Sequence, residues 1–220
     1  MQEIIERNLL LIREEIAPYK PNIIAVTKYF DENAIIAAYN AGLRDFGESR
    51  AVEAVQKIEN LPNVIRTESR FHFIGHLQSN KARLVVSHFD YIHSVDSLRL
   101  ASVISDEAQK IGKVQNILLQ VNNACEEQKF GFSGTEIFEV FPEILKLKSL
   151  NIAGIMNMAP IDAEEDELNE LFGEIQQIRE DLENTFNCKL KEISMGMSRD
   201  YKVAVGHGAT MLRIGRKLFK

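Results

Sequence analysis

Lys28 is the residue of this sequence best placed to act as a nucleophile. It follows an apolar run, residues 23–26, whose consecutive hydrophobic side chains favour a strand buried on both faces of a parallel sheet. The carboxyl ends of such strands bind ligands in α/β folds. Desolvation by an apolar wall favours the neutral amine, which can form an imine with an aldehyde. The alternative interpretation is a surface lysine that simply follows a strand.

Residues suited to bind a phosphate follow the last two predicted strands. Gly196 and Ser198 come after the seventh strand, and Gly215 and Arg216 come after the eighth. Glycines, a hydroxyl and a helix start at these places match the phosphate site of many (β/α)8 barrels, because backbone amides and a helix N-terminus can hold a dianion. The alternative is that both glycines serve only tight turns.

Arg213 lies inside the eighth predicted strand, just before Gly215. We expect its side chain to point into the mouth of the barrel, where a guanidinium could hold the phosphate or hydrogen-bond an aromatic ring nitrogen. The alternative is a structural ion pair with Glu48 or Asp200.

A reactive lysine, a phosphate cradle and an arginine together favour two classes of ligand. One is a sugar phosphate held as an imine, and the other is pyridoxal 5'-phosphate (PLP) held as an internal aldimine. A metal is not expected, because His72 and His76 lack the spacing of ligands that face one ion. The remaining histidines are interpreted as helix-end or loop residues: His88, His93 and His207.

Eight strand patterns alternate with helical patterns along the chain, with no linker between them. This alternation predicts a single (β/α)8 barrel domain over residues 1–220, with a doubly wound open sheet as the alternative fold. Because the sequence ends at Lys220, we expect no helix after strand eight and expect the helix at residues 2–16 to cover the gap. The predicted strands are 23–27, 43–46, 71–74, 91–95, 116–121, 152–156, 191–195 and 211–214. The other predicted helices are 31–39, 52–58, 78–89, 97–111, 137–147, 165–186 and a short one from Asp200.

Composition and charge exclude several classes of protein. A formal net charge of −6 argues against nucleic acid or an anionic membrane as the main partner. Cys125 and Cys188 have no CxxC spacing, which fits a reducing cytoplasm. The first residues form an amphipathic helix and not a signal peptide, and no apolar run reaches the length of a membrane span. We therefore expect a cytoplasmic protein, and we also expect it to be a monomer.

Six blocks of the sequence resemble the pyridoxal phosphate homeostasis proteins, also called the YggS or proline synthase co-transcribed family. The blocks are residues 25–28, 45–48, 71–81, 92–96, 194–198 and 211–215, and they occur in the family's order over essentially the whole chain. The resemblance implies a (β/α)8 barrel like the N-terminal domain of alanine racemase, with PLP bound as a lysine aldimine.

The resemblance also implies a role for each candidate residue. Lys28 is the Schiff-base lysine, Ser198 and the amides of Gly215 and Arg216 hold the phosphate, Ser194 and Gly196 shape the same loop, and Arg213 lies near the ring nitrogen or the phosphate. An arginine at the ring nitrogen would keep it unprotonated and weaken the cofactor as an electron sink. One departure is Ser49, where the family has asparagine.

The function implied is a non-catalytic or barely catalytic PLP carrier that buffers the free aldehyde and hands it to PLP-requiring apoenzymes. The first alternative is a small PLP-dependent amino-acid racemase, which needs acid and base groups on both faces of the cofactor. In racemases of this fold a second domain helps to supply one of them, and we expect this chain to have no room for it. The second alternative is an imine-forming aldolase without a cofactor.

Overall fold

The computed structural model describes residues 1–124 and 130–220, in which parallel strands alternate with helices. The strands are β1 (Asn22–Val26), β2 (Asp45–Glu48), β3 (Arg70–Phe73), β4 (Tyr91–Val95), β5 (Gln115–Val121), β6 (Leu150–Asn157), β7 (Glu192–Ser194) and β8 (Met211–Ile214). The helices are α1 (Gln2–Glu15), α2 (Glu32–Asn40), α3 (Ala51–Asn60), α4 (Asn63–Glu68), α5 (Ala82–His88), α6 (Leu98–Lys110), α7 (Glu136–Leu145), α8 (Glu165–Phe186), α9 (Tyr201–Gly206) and α10 (Arg216–Phe219), and a 3₁₀ turn covers Ser79–Lys81.

The sheet is a closed barrel, because β8 pairs with β1 as well as with β7. The strands pair in chain order and in parallel, and in the closing pair Ile24 lies opposite Arg213. The predicted (β/α)8 barrel is therefore confirmed, and the closed strand order excludes an open doubly wound sheet.

The helices cover the barrel through apolar stripes that the sequence periodicity predicts. In α8 the buried residues recur at helical spacing: Leu168, Leu171, Phe172, Ile175 and Leu182. The same helix ends at Asn187, which adopts the left-handed conformation (φ 48°) that often terminates helices. This packing leaves the barrel ends free for loops that carry polar groups.

The N-terminal helix covers the seam, as expected, but it does so together with a helix that was not expected. α1 packs against both α2 and α10, and the Asn8 side-chain amide donates to the Leu218 carbonyl at 3.2 Å. The expectation that no helix follows β8 is wrong: α10 is a single turn that starts directly after Gly215. The apolar side of this turn is buried: Leu218 and Phe219 are both shielded from solvent, and the Phe219 ring packs against Phe30.

The barrel interior contains a polar cluster. His93 on β4 hydrogen-bonds Ser194 on β7, and because these strands are not neighbours in the sheet, both side chains must point into the barrel. Tyr91 stands on the same side of β4 as His93, since side chains alternate along a strand, and it packs with Leu118 and Met156. The interior is thus part apolar and part polar.

No described helix is both long and apolar enough to cross a membrane. Cys188 is a free thiol, and Cys125 lies outside the described residues.

Candidate functional site

A cavity of about 1130 Å³ opens at the carboxyl ends of the strands. Five of the predicted site residues line it: Lys28, Ser198, Arg213, Gly215 and Arg216. Lys28 follows β1 and Gly215 follows β8, and these two strands pair directly where the barrel closes. Barrel closure therefore brings the lysine near the start of the chain to the loops near its end.

Thr27, immediately before Lys28, is held by hydrogen bonds from both its backbone and its side chain. The Thr27 amide donates to the Gly47 carbonyl at 3.0 Å, and the Thr27 hydroxyl donates to Glu48 Oε1 at 2.6 Å. The ammonium group of Lys57 donates to the Thr27 carbonyl at 3.0 Å. Lys28 itself is half-buried. The position of Lys28 thus depends on Glu48 and Lys57, which hold the preceding residue.

That pair is a buried salt bridge between Lys57 and Glu48. Lys57 Nζ lies 2.6 Å from Glu48 Oε1, and the two side chains are only 10% and 3% exposed. A buried ion pair is stable only when further hydrogen bonds satisfy its atoms, which Thr27 supplies to both partners. The ion-pair partner of Glu48 is therefore Lys57 and not Arg213, which excludes the predicted alternative of a direct pair between Glu48 and Arg213.

The loop after β7 is shaped by a glycine that no other residue could replace without strain. Gly196 has φ +88°, and a Cβ at this position would lie 2.7 Å from Ala204 Cβ. Beyond this turn, the Asp200 carboxylate accepts a hydrogen bond from the Met197 amide and precedes α9. The turn places Ser198 on the cavity wall.

The loop after β8 meets Ser198 at the start of α10. The Ser198 hydroxyl accepts a hydrogen bond from the Lys217 amide at 3.3 Å, and its own proton is left for another acceptor. The first amides of a helix have no partner within it, so the amides of Gly215 and Arg216 are suited to an anion. This arrangement agrees with the predicted phosphate site.

Arg213 is buried in the barrel and borders the cavity. Its Nη1 donates to the Ser194 carbonyl at 2.7 Å and to Ser194 Oγ at 2.6 Å, and its Nη2 donates to the Asn157 carbonyl at 2.7 Å. Burial lowers the pKa of Arg213 to about 10, with Asp200 acting in the opposite direction, so the guanidinium remains charged at neutral pH. Three of its five N–H groups are used by described residues, and the other two are left for a ligand.

Sequence reasoning missed the groups that support Arg213 from inside the barrel. His93 was interpreted as a helix-end or loop residue, which is wrong: it is fully buried on β4, and its Nδ1 lies 2.9 Å from Ser194 Oγ. His93 in turn contacts His72, which contacts Asp45. The signal that could have found this set is a polar residue in each of several otherwise apolar strand patterns.

The structure thus gathers five predicted residues around one cavity and leaves two outside its wall. Ser194 lies inside the barrel below Arg213, and Gly196 forms the turn that leads to Ser198. Their expected contribution to ligand binding is therefore indirect. Across residues 1–124 and 130–220, no three His, Cys, Asp or Glu side chains are grouped to hold a metal ion.

Comparison with known proteins places the chain in a family. Residues 2–220 match the family model described as alanine racemase, N-terminal domain. A pyridoxal phosphate homeostasis protein of Synechocystis is 42% identical, with 94% of this chain and 94% of the relative covered. The protein of that name from Escherichia coli K12 is 34% identical, with 98% and 95% covered.

Solved structures give the same result. PipY of Synechococcus elongatus, solved without PLP, has a TM-score of 0.92 and 36% identity, and the match covers 98% of this chain and all of PipY. PipY with PLP bound has a TM-score of 0.88 and 35% identity over 98% of this chain. Alanine racemase of Clostridium difficile, at 15% identity and a TM-score of 0.79, shares the fold over 56% of its own length. The chain belongs to the family of pyridoxal phosphate homeostasis proteins, on the barrel of the alanine racemase N-terminal domain.

Proposed function

We propose that this chain is a single-domain, monomeric protein that binds PLP in the cavity, holds it through Lys28 and carries it in the cytoplasm to enzymes that require it. The observation that carries the proposal is that Lys28 and the start of α10 line the same cavity, because β1 and β8 pair where the barrel closes. The PLP-bound structure of PipY, which matches nearly the whole chain, supports the choice of ligand.

The groups around the start of α10 suit the phosphate of PLP. The Ser198 hydroxyl and the amides of Gly215 and Arg216 are hydrogen-bond donors, and the helix start adds a partial positive charge. The Arg216 side chain also lines the cavity and contributes a full positive charge. A dianion at this place is therefore stabilised by both hydrogen bonds and electrostatics.

The choice of Lys28 over another lysine follows from burial and anchoring. PLP, when bound, supplies an aldehyde that condenses with a primary amine with loss of water. Among the described residues, Lys28 and Lys220 are the lysines on the cavity wall. Lys220 is exposed at the end of α10, whereas Lys28 is half-buried and follows the anchored residue Thr27. A held amine is better positioned for a lasting covalent link.

Arg213 supports carriage over turnover. A guanidinium has only donors, so an aromatic ring nitrogen that meets it must act as an acceptor and carry no proton. PLP with an unprotonated ring nitrogen is a weaker electron sink. The proton carriers nearest to Lys28 itself include Tyr29, which is adjacent in the same loop and has its ring centroid 5.1 Å from Lys28 Nζ, whereas the carboxyl groups on the cavity wall belong to other loops: Asp162, Glu164 and Asp200.

The first test is the identity of the linked lysine. PLP-loaded protein, reduced with borohydride and digested, is expected to carry the pyridoxyl group on Lys28. Lys28→Ala should lose the absorbance of bound PLP, whereas Lys220→Ala should keep it. A label on Lys220, or an unchanged spectrum in Lys28→Ala, would contradict the proposal, and protein that takes up no PLP would favour the cofactor-free aldolase.

The second test separates carriage from racemisation. Loaded protein should restore an apoenzyme that requires PLP, even with a trap for free PLP present, and should elute as a monomer in size-exclusion chromatography with light scattering. Loaded protein should exchange the α-hydrogen of amino acids in deuterium oxide no faster than free PLP. Exchange at enzyme-like rates would establish the racemase alternative.

A further inference from the structure

Five buried side chains form a continuous hydrogen-bonded chain through the barrel interior. From the cavity downward, Arg213 Nη1 lies 2.6 Å from Ser194 Oγ, which lies 2.9 Å from His93 Nδ1. His93 Nε2 lies 2.9 Å from His72 Nδ1, and His72 Nε2 lies 2.8 Å from Asp45 Oδ1. None of the five is more than 4% exposed, so bulk water does not substitute for any of these contacts.

With both imidazoles neutral, the two ends of the chain fix the direction of every hydrogen bond in it. The guanidinium at the top can only donate. At the bottom, burial acts to raise the pKa of Asp45, but hydrogen bonds from His72 and Arg70 lower it below its usual range, so Asp45 is an ionised acceptor. His72 must then donate from Nε2, which leaves its Nδ1 to accept from His93 Nε2. His93 Nδ1 therefore accepts from the Ser194 hydroxyl, and the Ser194 oxygen accepts from Arg213.

An extra proton on either imidazole would break this order. If His72 were doubly protonated, its Nδ1 would donate, and His93 would have to accept at Nε2 and donate from Nδ1. Ser194 Oγ would then face two donors, from His93 and Arg213, and its own proton would lose its acceptor. Burial in the barrel lowers the pKa of His93 well below its usual value, in agreement with a neutral ring.

Neighbouring side chains hold Asp45 and His72, at the lower end of the chain, in position. Arg70 Nη2 lies 2.7 Å from Asp45 Oδ2 at the half-exposed base of the barrel, and the Tyr91 ring stacks on His72 with 4.9 Å between centroids. The charged or titratable groups that face the chain from neighbouring elements are Arg70, Asp90, Tyr91, Glu192 and Asp200.

We propose that Ser194, His93, His72 and Asp45 are positioning residues for Arg213, with both imidazoles as neutral Nε2–H tautomers and every hydrogen bond donated toward Asp45. The chain fixes the rotation of the guanidinium, so that its two remaining N–H groups point at PLP in the cavity. The second half of this inference rests on the proposed function, whereas the tautomers do not. None of the four touches the ligand; each acts through Arg213.

The tautomers can be measured on the protein without PLP. In ¹⁵N spectra of histidine-labelled protein at neutral pH, His72 and His93 should each show a protonated Nε2 and an unprotonated Nδ1. His93→Gln identifies the signals by their loss. An Nδ1–H tautomer or an imidazolium at either residue would overturn the proposal, whether or not PLP binds.

The effect on PLP is tested with variants matched in burial and size. Ser194→Ala should weaken PLP binding about tenfold and shift the absorbance of bound PLP, because Arg213 loses one of the bonds that orient it. Ser94→Ala is the control, since Ser94 is a buried hydroxyl on β4 that bonds the Gly75 carbonyl outside the chain. It should lower stability while affinity and spectrum stay unchanged.

A conservative variant completes the design. His93→Gln keeps one donor and one acceptor and should retain the wild-type spectrum better than His93→Leu, which keeps neither. If Ser194→Ala and His93→Leu both bind PLP with wild-type affinity and absorbance, the chain is purely structural and the proposal is overturned. Failure of wild-type protein to bind PLP would overturn the proposed function and the PLP-directed half of this inference, while the tautomer measurement still decides the other half.

Discussion

Replacing Lys57 by methionine should be among the most damaging single substitutions near the site, although Lys57 does not line the cavity. The change keeps an unbranched apolar side chain but leaves the Glu48 carboxylate, only 3% exposed, without the ammonium group 2.6 Å away. Removing one partner of a buried ion pair typically costs about 3–5 kcal/mol, because the other charge remains buried and uncompensated. Glu48 would retain the hydrogen bond from the Thr27 hydroxyl.

A double-mutant cycle with Glu48→Gln separates this penalty from the loss of packing. The neutral amide of Glu48→Gln can still accept from Thr27, so Lys57→Met/Glu48→Gln should recover most of the loss measured for Lys57→Met alone. The free energy of unfolding from urea titration is the readout at each corner of the cycle.

The same substitution should also weaken PLP binding, since Lys57 holds the Thr27 carbonyl directly before Lys28. Lys146→Met is a suitable control, because the Lys146–Glu143 pair is exposed and exposed pairs contribute at most about 1 kcal/mol. A loss below about 1 kcal/mol in Lys57→Met, or a double variant no more stable than Lys57→Met, would refute the reasoning.

Three further substitutions test separate parts of the structure. Ser198→Ala should reduce PLP affinity about tenfold or more, measured by absorbance titration, because a hydrogen bond to a charged group contributes about 1.5–3 kcal/mol. Gly196→Ala should destabilise more than Gly208→Ala: both have positive φ, which costs about 1–2 kcal/mol for alanine, but only the methyl at Gly196 would meet a neighbouring atom, at 2.7 Å. Hydrogen bonds lower the pKa of Glu15 to about 2, and the largest effect comes from Lys217. The contribution of Glu15 to stability is therefore fully present above pH 4.5 and is lost as the pH falls toward 2. Glu15→Gln should flatten the acid limb of the unfolding profile over that range, and an unchanged limb would contradict the ion pair.

The barrel could be predicted from the sequence because each of its repeating units carries its own signal. Apolar strand runs and amphipathic helices alternate eight times, and the patterns depend only on residues within one element. The short helices α4 and α10 were missed because one or two turns contain too few residues for a 3.6-residue period to show. Their stability comes from tertiary contacts, such as those of α10 with α1.

The cavity residues could also be predicted, because the fold confines ligand-binding groups to positions just after strands. Lys28, Ser198 and Gly215 occupy such positions, and barrel closure brings them together. The interior chain could not be predicted, since the contact between His93 and Ser194 joins residues 101 positions apart on strands that are not neighbours. Whether two inward side chains meet across a barrel depends on strand stagger, which the sequence pattern does not encode.

The division between predicted and missed residues also reflects two different physical roles. Groups at the mouth act on a ligand directly, so their chemistry is visible in their residue types. Groups inside the barrel act on Arg213, whose guanidinium is buried at a cost that lowers its pKa to about 10. A buried cation needs hydrogen-bond acceptors, and Ser194 Oγ is one of them and the first link of a chain that ends on the Asp45 carboxylate at the far end of the barrel. The interior polar residues are therefore the means by which an apolar barrel can present one charged, oriented group at its mouth.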